Sequence, residues 1–94
     1  ISKFAYCING LFYEFYFVNN QDKKSILITF GANLRQLRLA KGFTQEQLAN
    51  ELGIEISQIS RIERGVINTS ITTLYSISKV LNVHISELFV FDAN

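Results

Sequence analysis

The sequence holds no proline, no methionine, no tryptophan, one cysteine (Cys7) and one histidine (His84). Each scarcity removes a class of chemistry. A lone cysteine excludes an internal disulfide framework and any CxxC zinc site. A lone histidine excludes HExxH and other multi-histidine metal sites, and its distance along the chain from Cys7 argues against a Cys/His nucleophile. No apolar run reaches the ~20 residues that a membrane span requires. The stretch from Phe4 to Val18 is apolar, but Asn9, Gly10 and Glu14 interrupt it. No small-residue cleavage site follows, so it is not read as a signal peptide, and a reducing cytoplasm is the expected compartment. Charge is scarce too. Charged residues are 18% of the 94, hydrophobic ones 48%, and the formal net charge is +1. That balance excludes disorder and a polybasic tail. The length suits one small domain plus one added element. An apolar excess on so small a body suggests that a second chain covers part of it. Without methionine and with Ile1 in first place, the chain reads as a fragment, a processed product, or one whose true start lies elsewhere.

What is present falls into two textures. Residues 1–24 hold seven of the twelve aromatic residues. Asn9-Gly10 separates two runs of β-formers, Phe4–Ile8 and Leu11–Val18, and Asn-Gly supplies the positive φ angles of a type I′ turn. A β-hairpin is the favoured reading. Asn19–Lys24 is expected to be a polar turn or linker. Ser25–Thr29 is expected to form a third strand or to lead into the first helix. The segment 1–24 is thus set apart as an N-terminal extension from a domain spanning 25–94. It is read as extra core cover or a dimerisation edge, with Cys7 as a buried small hydrophobe. The alternative is translated AT-rich sequence that forms no evolved element.

From about residue 28 to 91 the pattern is helical. Phe30, Leu34 and Leu37 make one apolar stripe, and Lys41-Gly42 ends that helix. Thr44 and Gln47 have the spacing of a capping box ahead of a short helix that buries Leu48, Ala49 and Leu52. Gly53 closes it, and Ile54 is a buried hinge. A third helix is predicted from about Ile56 to Arg64, stopped by Gly65. Ser70 is expected to cap a fourth helix that buries Ile71, Leu74, Ile77, Ser78 and Leu81. A last short helix follows His84, itself read as a cap, and carries Ile85, Leu88 and Phe89. The apolar end Leu88–Phe91 exceeds what one last turn can hide, and part of it is assigned to a subunit interface. The fold class is therefore all-α, with five helices and the aromatic extension.

Residues 44–65 carry the functional signal. Two helices of about nine residues, joined by a turn that holds Gly53, follow the grammar of a helix-turn-helix. At about 100° per residue, Ile59 and Ile62 set the inward direction of the third helix. Ser57, Arg61 and Arg64 fall on the opposite side, with Ser60 at its margin. Short hydroxyls let a backbone approach closely, and arginine offers a two-pronged donor to guanine or phosphate. Ile56, at the helix start, suits contact with a thymine methyl group.

The stretch Phe30–Phe89 resembles the lambda-repressor-like, or Xre-type, helix-turn-helix family. The resemblance is carried by Leu34-Arg35-Gln36-Leu37-Arg38, Lys41–Ala49, Leu52-Gly53, Ile59–Gly65, Thr73-Leu74 and Ile85–Phe89. It implies a five-helix domain that binds double-stranded DNA, usually as a homodimer on a two-fold symmetric operator. It implies that Glu55, Ile56, Ser57, Ser60 and Arg61 meet or flank base edges. It assigns Thr44, Gln45, Arg64 and Asn68 to backbone phosphates. It pairs Arg38 with Glu63 in a structural salt bridge between the first and third helices. Glu55 departs from the family's usual Ser or Thr cap, and its carboxylate would repel a nearby phosphate. Thr69 replaces a frequent proline.

From Ser25 onward six cations meet six anions, a weak electrostatic footprint for a nucleic-acid binder. Five of the six cations lie between residues 35 and 64. Weak non-specific binding, a modest salt slope per monomer and reliance on two linked subunits are expected. The leading expectation is a cytoplasmic transcriptional regulator, repressor-like, that takes no cofactor and no metal. A protein-interaction module such as an antitoxin, with a protein partner masked by the aromatic segment, is the alternative. An enzyme is not expected, because no acid/base pair, activated nucleophile or phosphate-cradling glycine loop is present.

Overall fold

The computed structural model describes residues 2–8, 11–17 and 20–90, with side chains from Asp22 to Val90. Two strands, β1 (Ser2–Ile8) and β2 (Leu11–Phe17), pair antiparallel with Phe4 opposite Phe15 and Tyr6 opposite Tyr13. The expected turn at Asn9-Gly10 and the side chain of Cys7 lie outside the described residues. Four helices follow: α1 (Asn20–Ala40), α2 (Gln45–Leu52), α3 (Ile56–Arg64) and α4 (Ile71–Leu81), with a closing 3-10 helix at Ile85–Phe89.

α1 corrects one expectation and decides between two others. Asn20–Lys24 is helical rather than a turn or linker, and Ser25–Thr29, expected as a third strand or as the lead into the first helix, is part of that helix. Nothing in Asn20–Ala40 breaks a helix once begun: proline is absent, and Asp22 in the first turn suits the positive end of the helix dipole. The fifth helix is a single stretch of 3-10 geometry, a form that short terminal segments often take.

The core is the meeting of all five helical elements. Leu34, Leu48, Ile59, Ile62, Ile77, Leu81 and Leu88 are fully buried, and Phe30 and Ala49 join them. Leu37, Leu52, Ile54 and Leu74 pack at its edge, partly buried. Ile71 departs from its expected place. It is 78% exposed, because it is the first residue of α4 and that end does not enter the core. Phe89 is half exposed with its ring 5.4 Å from that of Phe30, while Leu88 beside it is buried. Asn33 ties the last turn down, donating from Nδ2 to the carbonyls of Glu87 at 2.9 Å and Leu88 at 2.8 Å.

α1 and α3 meet backbone to backbone. A Cβ on Gly31 would lie 2.4 Å from the carbonyl oxygens of Ile62 and Glu63, so only glycine fits there. At the other side of the contact, Gly65 has φ +74 and stands where a Cβ would come 2.6 Å from the Cα of Ile28. The end of α3 is thereby fixed against α1, which sets the direction in which α3 presents its outer side.

Candidate nucleic-acid interface

The site is built on the α2–turn–α3 unit. α2 begins with a complete capping box: the Thr44 hydroxyl accepts from the Gln47 N–H at 3.0 Å, and the Gln47 Oε1 accepts from the Thr44 N–H at 2.9 Å. α2 ends at Gly53, whose φ of +70 turns the chain within three residues toward α3. Glu55 precedes α3 but makes no side-chain cap, so its carboxylate stands exposed at the helix start.

α3 divides by face. Ile59, Ile62 and Glu63 are buried, whereas Glu55, Ile56, Ser57, Arg61 and Arg64 are exposed and Ser60 is half-buried. The outer side is open to solvent along its whole length, with Ile56 46% exposed at its start. Arg64 donates from Nε to the Ser60 hydroxyl at 3.3 Å, one helical turn away. Ser60 therefore supports Arg64, a pairing that the spacing of the two residues made available to sequence reasoning. Asn68, in the loop after α3, is exposed and accepts the Thr69 N–H on its own Oδ1 at 3.0 Å.

Beneath this surface lies a buried polar cluster. Arg38 meets Glu63 with two parallel bonds, Nε to Oε2 at 2.6 Å and Nη2 to Oε1 at 3.0 Å. Its remaining nitrogen, Nη1, donates to the carbonyl of Phe43 at 2.8 Å. Both side chains are almost wholly buried. Gln45 joins from α2, donating from Nε2 to Oε1 of Glu63 at 3.0 Å. Sequence reasoning did not find this third member, because residues 18 apart reveal their contact only once α2 and α3 are docked. Among the described residues no buried side-chain nitrogen or oxygen lacks a partner.

Burial of Arg38 changes the charge available at the surface. Its charge is spent on Glu63, and Arg35, Lys41, Arg61 and Arg64 are the exposed cations between residues 35 and 64. His84 caps the last turn, its Nδ1 accepting from the Ser86 N–H at 3.3 Å, and takes no part in the site. Among the described residues no cluster of three His, Cys, Asp or Glu residues is placed to hold a metal, and no helix is long and apolar enough to cross a membrane.

The model of a helix-turn-helix family (HTH_3) matches residues 34–88. The control protein C.BamHI of Bacillus amyloliquefaciens is 41% identical over 68 residues, covering 71% of this chain and 84% of the relative. The crystal structure of the restriction-modification controller C.AhdI from Aeromonas hydrophila superposes with a TM-score of 0.70 at 38% identity, over 72% of this chain and 99% of the other. The biofilm master regulator SinR, solved in complex with DNA, superposes with a TM-score of 0.61 at 35% identity, over 65% of this chain and 98% of the other. An exposed arginine-bearing α3, seated by a capped α2, and these likenesses lead to one conclusion: the chain belongs to the Xre-type helix-turn-helix family and is a DNA-binding regulator of transcription, not an enzyme.

Proposed function

We propose that the protein reads sequence in the major groove with the outer side of α3, as a homodimer on a two-fold symmetric operator in the cytoplasm. The observation that carries this reading is the solvent exposure of Ser57, Arg61 and Arg64 on a helix whose other side is locked in the core. A helix lies in the groove without steric conflict when its outward side chains are short, and Ser57 and Ser60 meet that need. Arg61 is the reader, giving bidentate donors to guanine O6 and N7. Ile56 packs on a thymine methyl group, and Glu55 accepts from a cytosine N4 at the edge of the contact.

Four residues would anchor phosphates: Thr44 and Gln45 at the start of α2, Arg64 at the end of α3, and Asn68 in the following loop. The Arg64 fork keeps both terminal nitrogens for phosphate while Ser60 holds its Nε. With so few exposed cations, one subunit neutralises few phosphates, and useful affinity comes from linking two.

A second copy has a surface suited to it. Ile26, Leu27, Phe30, Ile67, Leu74 and Phe89 line a largely apolar depression between α1, α3, α4 and the 3-10 helix. Asn68 and Thr69 of the loop after α3 also line it, so a second copy seated there would lie beside the Asn68 phosphate anchor. Phe89 in its lining is 50% exposed, and Val90, next along the chain, is 66% exposed. Apolar area of this kind on a small domain is what a subunit interface covers. The test is selection of sites from a random DNA pool, with light scattering of the complex. A symmetric site bound by two chains is the expected result. An asymmetric site bound by one chain would overturn the dimer, and failure to enrich any sequence would overturn base reading. Because the similar protein C.AhdI is a restriction-modification controller, genes of such a system are the first place to look for the selected site.

A further inference from the structure

Gln45 stands in two environments at once. It is half-buried at the start of α2, and its Nε2 donates to Glu63 Oε1 at 3.0 Å. The same oxygen accepts from Arg38 Nη2 at 3.0 Å, and the other carboxylate oxygen accepts from Arg38 Nε at 2.6 Å. Glu63 is therefore held by a fork on both oxygens and cannot swing. A glutamine amide has two N–H donors and one oxygen. One N–H is committed to this fixed carboxylate, which sets the rotation of the amide and leaves the second N–H and Oε1 directed by it. A free glutamine pays rotamer entropy each time it is ordered against a ligand. A glutamine already tethered on one side pays less.

Building on Gln45 as a phosphate anchor, we propose that Glu63 is a positioning residue: it pre-sets the Gln45 amide for the DNA backbone and links that anchor rigidly to the helix that reads bases. The buried ion pair then does more than join α1 to α3. Arg38 aligns Glu63, Glu63 aligns Gln45, and the phosphate anchor on α2 keeps a fixed distance from the outer side of α3.

The test is a double-mutant cycle on the full chain. Affinity is measured for a duplex recovered by selection and for a random-sequence duplex. Gln45→Ala removes the anchor. Arg38→Met combined with Glu63→Leu removes the carboxylate, fills its place and leaves no buried charge unpaired. Each is expected to weaken binding to both duplexes about 3- to 10-fold, with the melting temperature of the paired variant close to that of the parent. In the Gln45→Ala background, replacing the pair is expected to bring no further loss. Losses that multiply would overturn the positioning role while leaving the anchor intact. Unchanged binding by Gln45→Ala would overturn the anchor, and the positioning role with it. Side-chain amide exchange of the parent, followed by nuclear magnetic resonance without DNA, requires no variant to fold. One Gln45 amide proton is expected to be protected, and exchange of both at the rate of a free amide would overturn the proposal.

Discussion

The inner and outer sides of α3 are made of the same nine residues and obey different rules. Inside, Ile59 and Ile62 are buried in the core cluster, and Glu63 is buried against Arg38 and Gln45. Outside, Ser57, Arg61 and Arg64 meet water, and within the protein they make little more than the Ser60–Arg64 bond. The inner side sets where the helix lies. The outer side is free to vary without unfolding the domain, so, on the proposed reading of bases by α3, the operator could change while the fold is kept.

Substitutions on the two sides separate these roles. Glu63→Ala is expected to cost the most, about 3–5 kcal/mol of stability, because Arg38 is left charged, buried and unpaired. Chemical denaturation measures it. Ile59→Ala follows at about 2–5 kcal/mol, since it opens a cavity among Leu34, Leu48 and their neighbours. Arg61→Ala is expected to leave the denaturation curve in place and to lose about 1–3 kcal/mol of discrimination at one base of each half-site. Competition binding with single-base variants of the operator reads that loss. If every sequence were weakened alike, Arg61 would be an anchor and not a reader. Ser57→Ala should be smallest, within about 0.5 kcal/mol in stability. A large destabilisation from Ser57→Ala would show that the outer side also supports the fold, and the contrast would fail.

The parts of this molecule that are legible in the sequence are those fixed by neighbours along the chain. Thr44 and Gln47 cap each other across three residues. Gly53 and Gly65 adopt positive φ where each helix must stop. Ile59 and Ile62 point inward at helical spacing. What stayed hidden depends on docking. Asn33 reaches carbonyls 54 and 55 residues away, and Gln45 reaches Glu63 across 18. The polar run Asn20–Lys24 looked like a linker because polarity correlates with loops, yet helix propensity and an unbroken α1 decide its state. Ile71 looked buried because its spacing matches the inner stripe of α4, but periodicity does not say where a helix leaves the core.

The glycine seat between α1 and α3 bears on where this domain can be cut. The family match starts at Leu34, whereas the seat uses Ile28 and Gly31 and the core uses Phe30. A fragment trimmed to the matched span would keep the whole α2–turn–α3 unit and lose the abutment that stops the tail of α3 from swivelling. The mechanical edge of the module thus sits at least six residues upstream of its recognisable one.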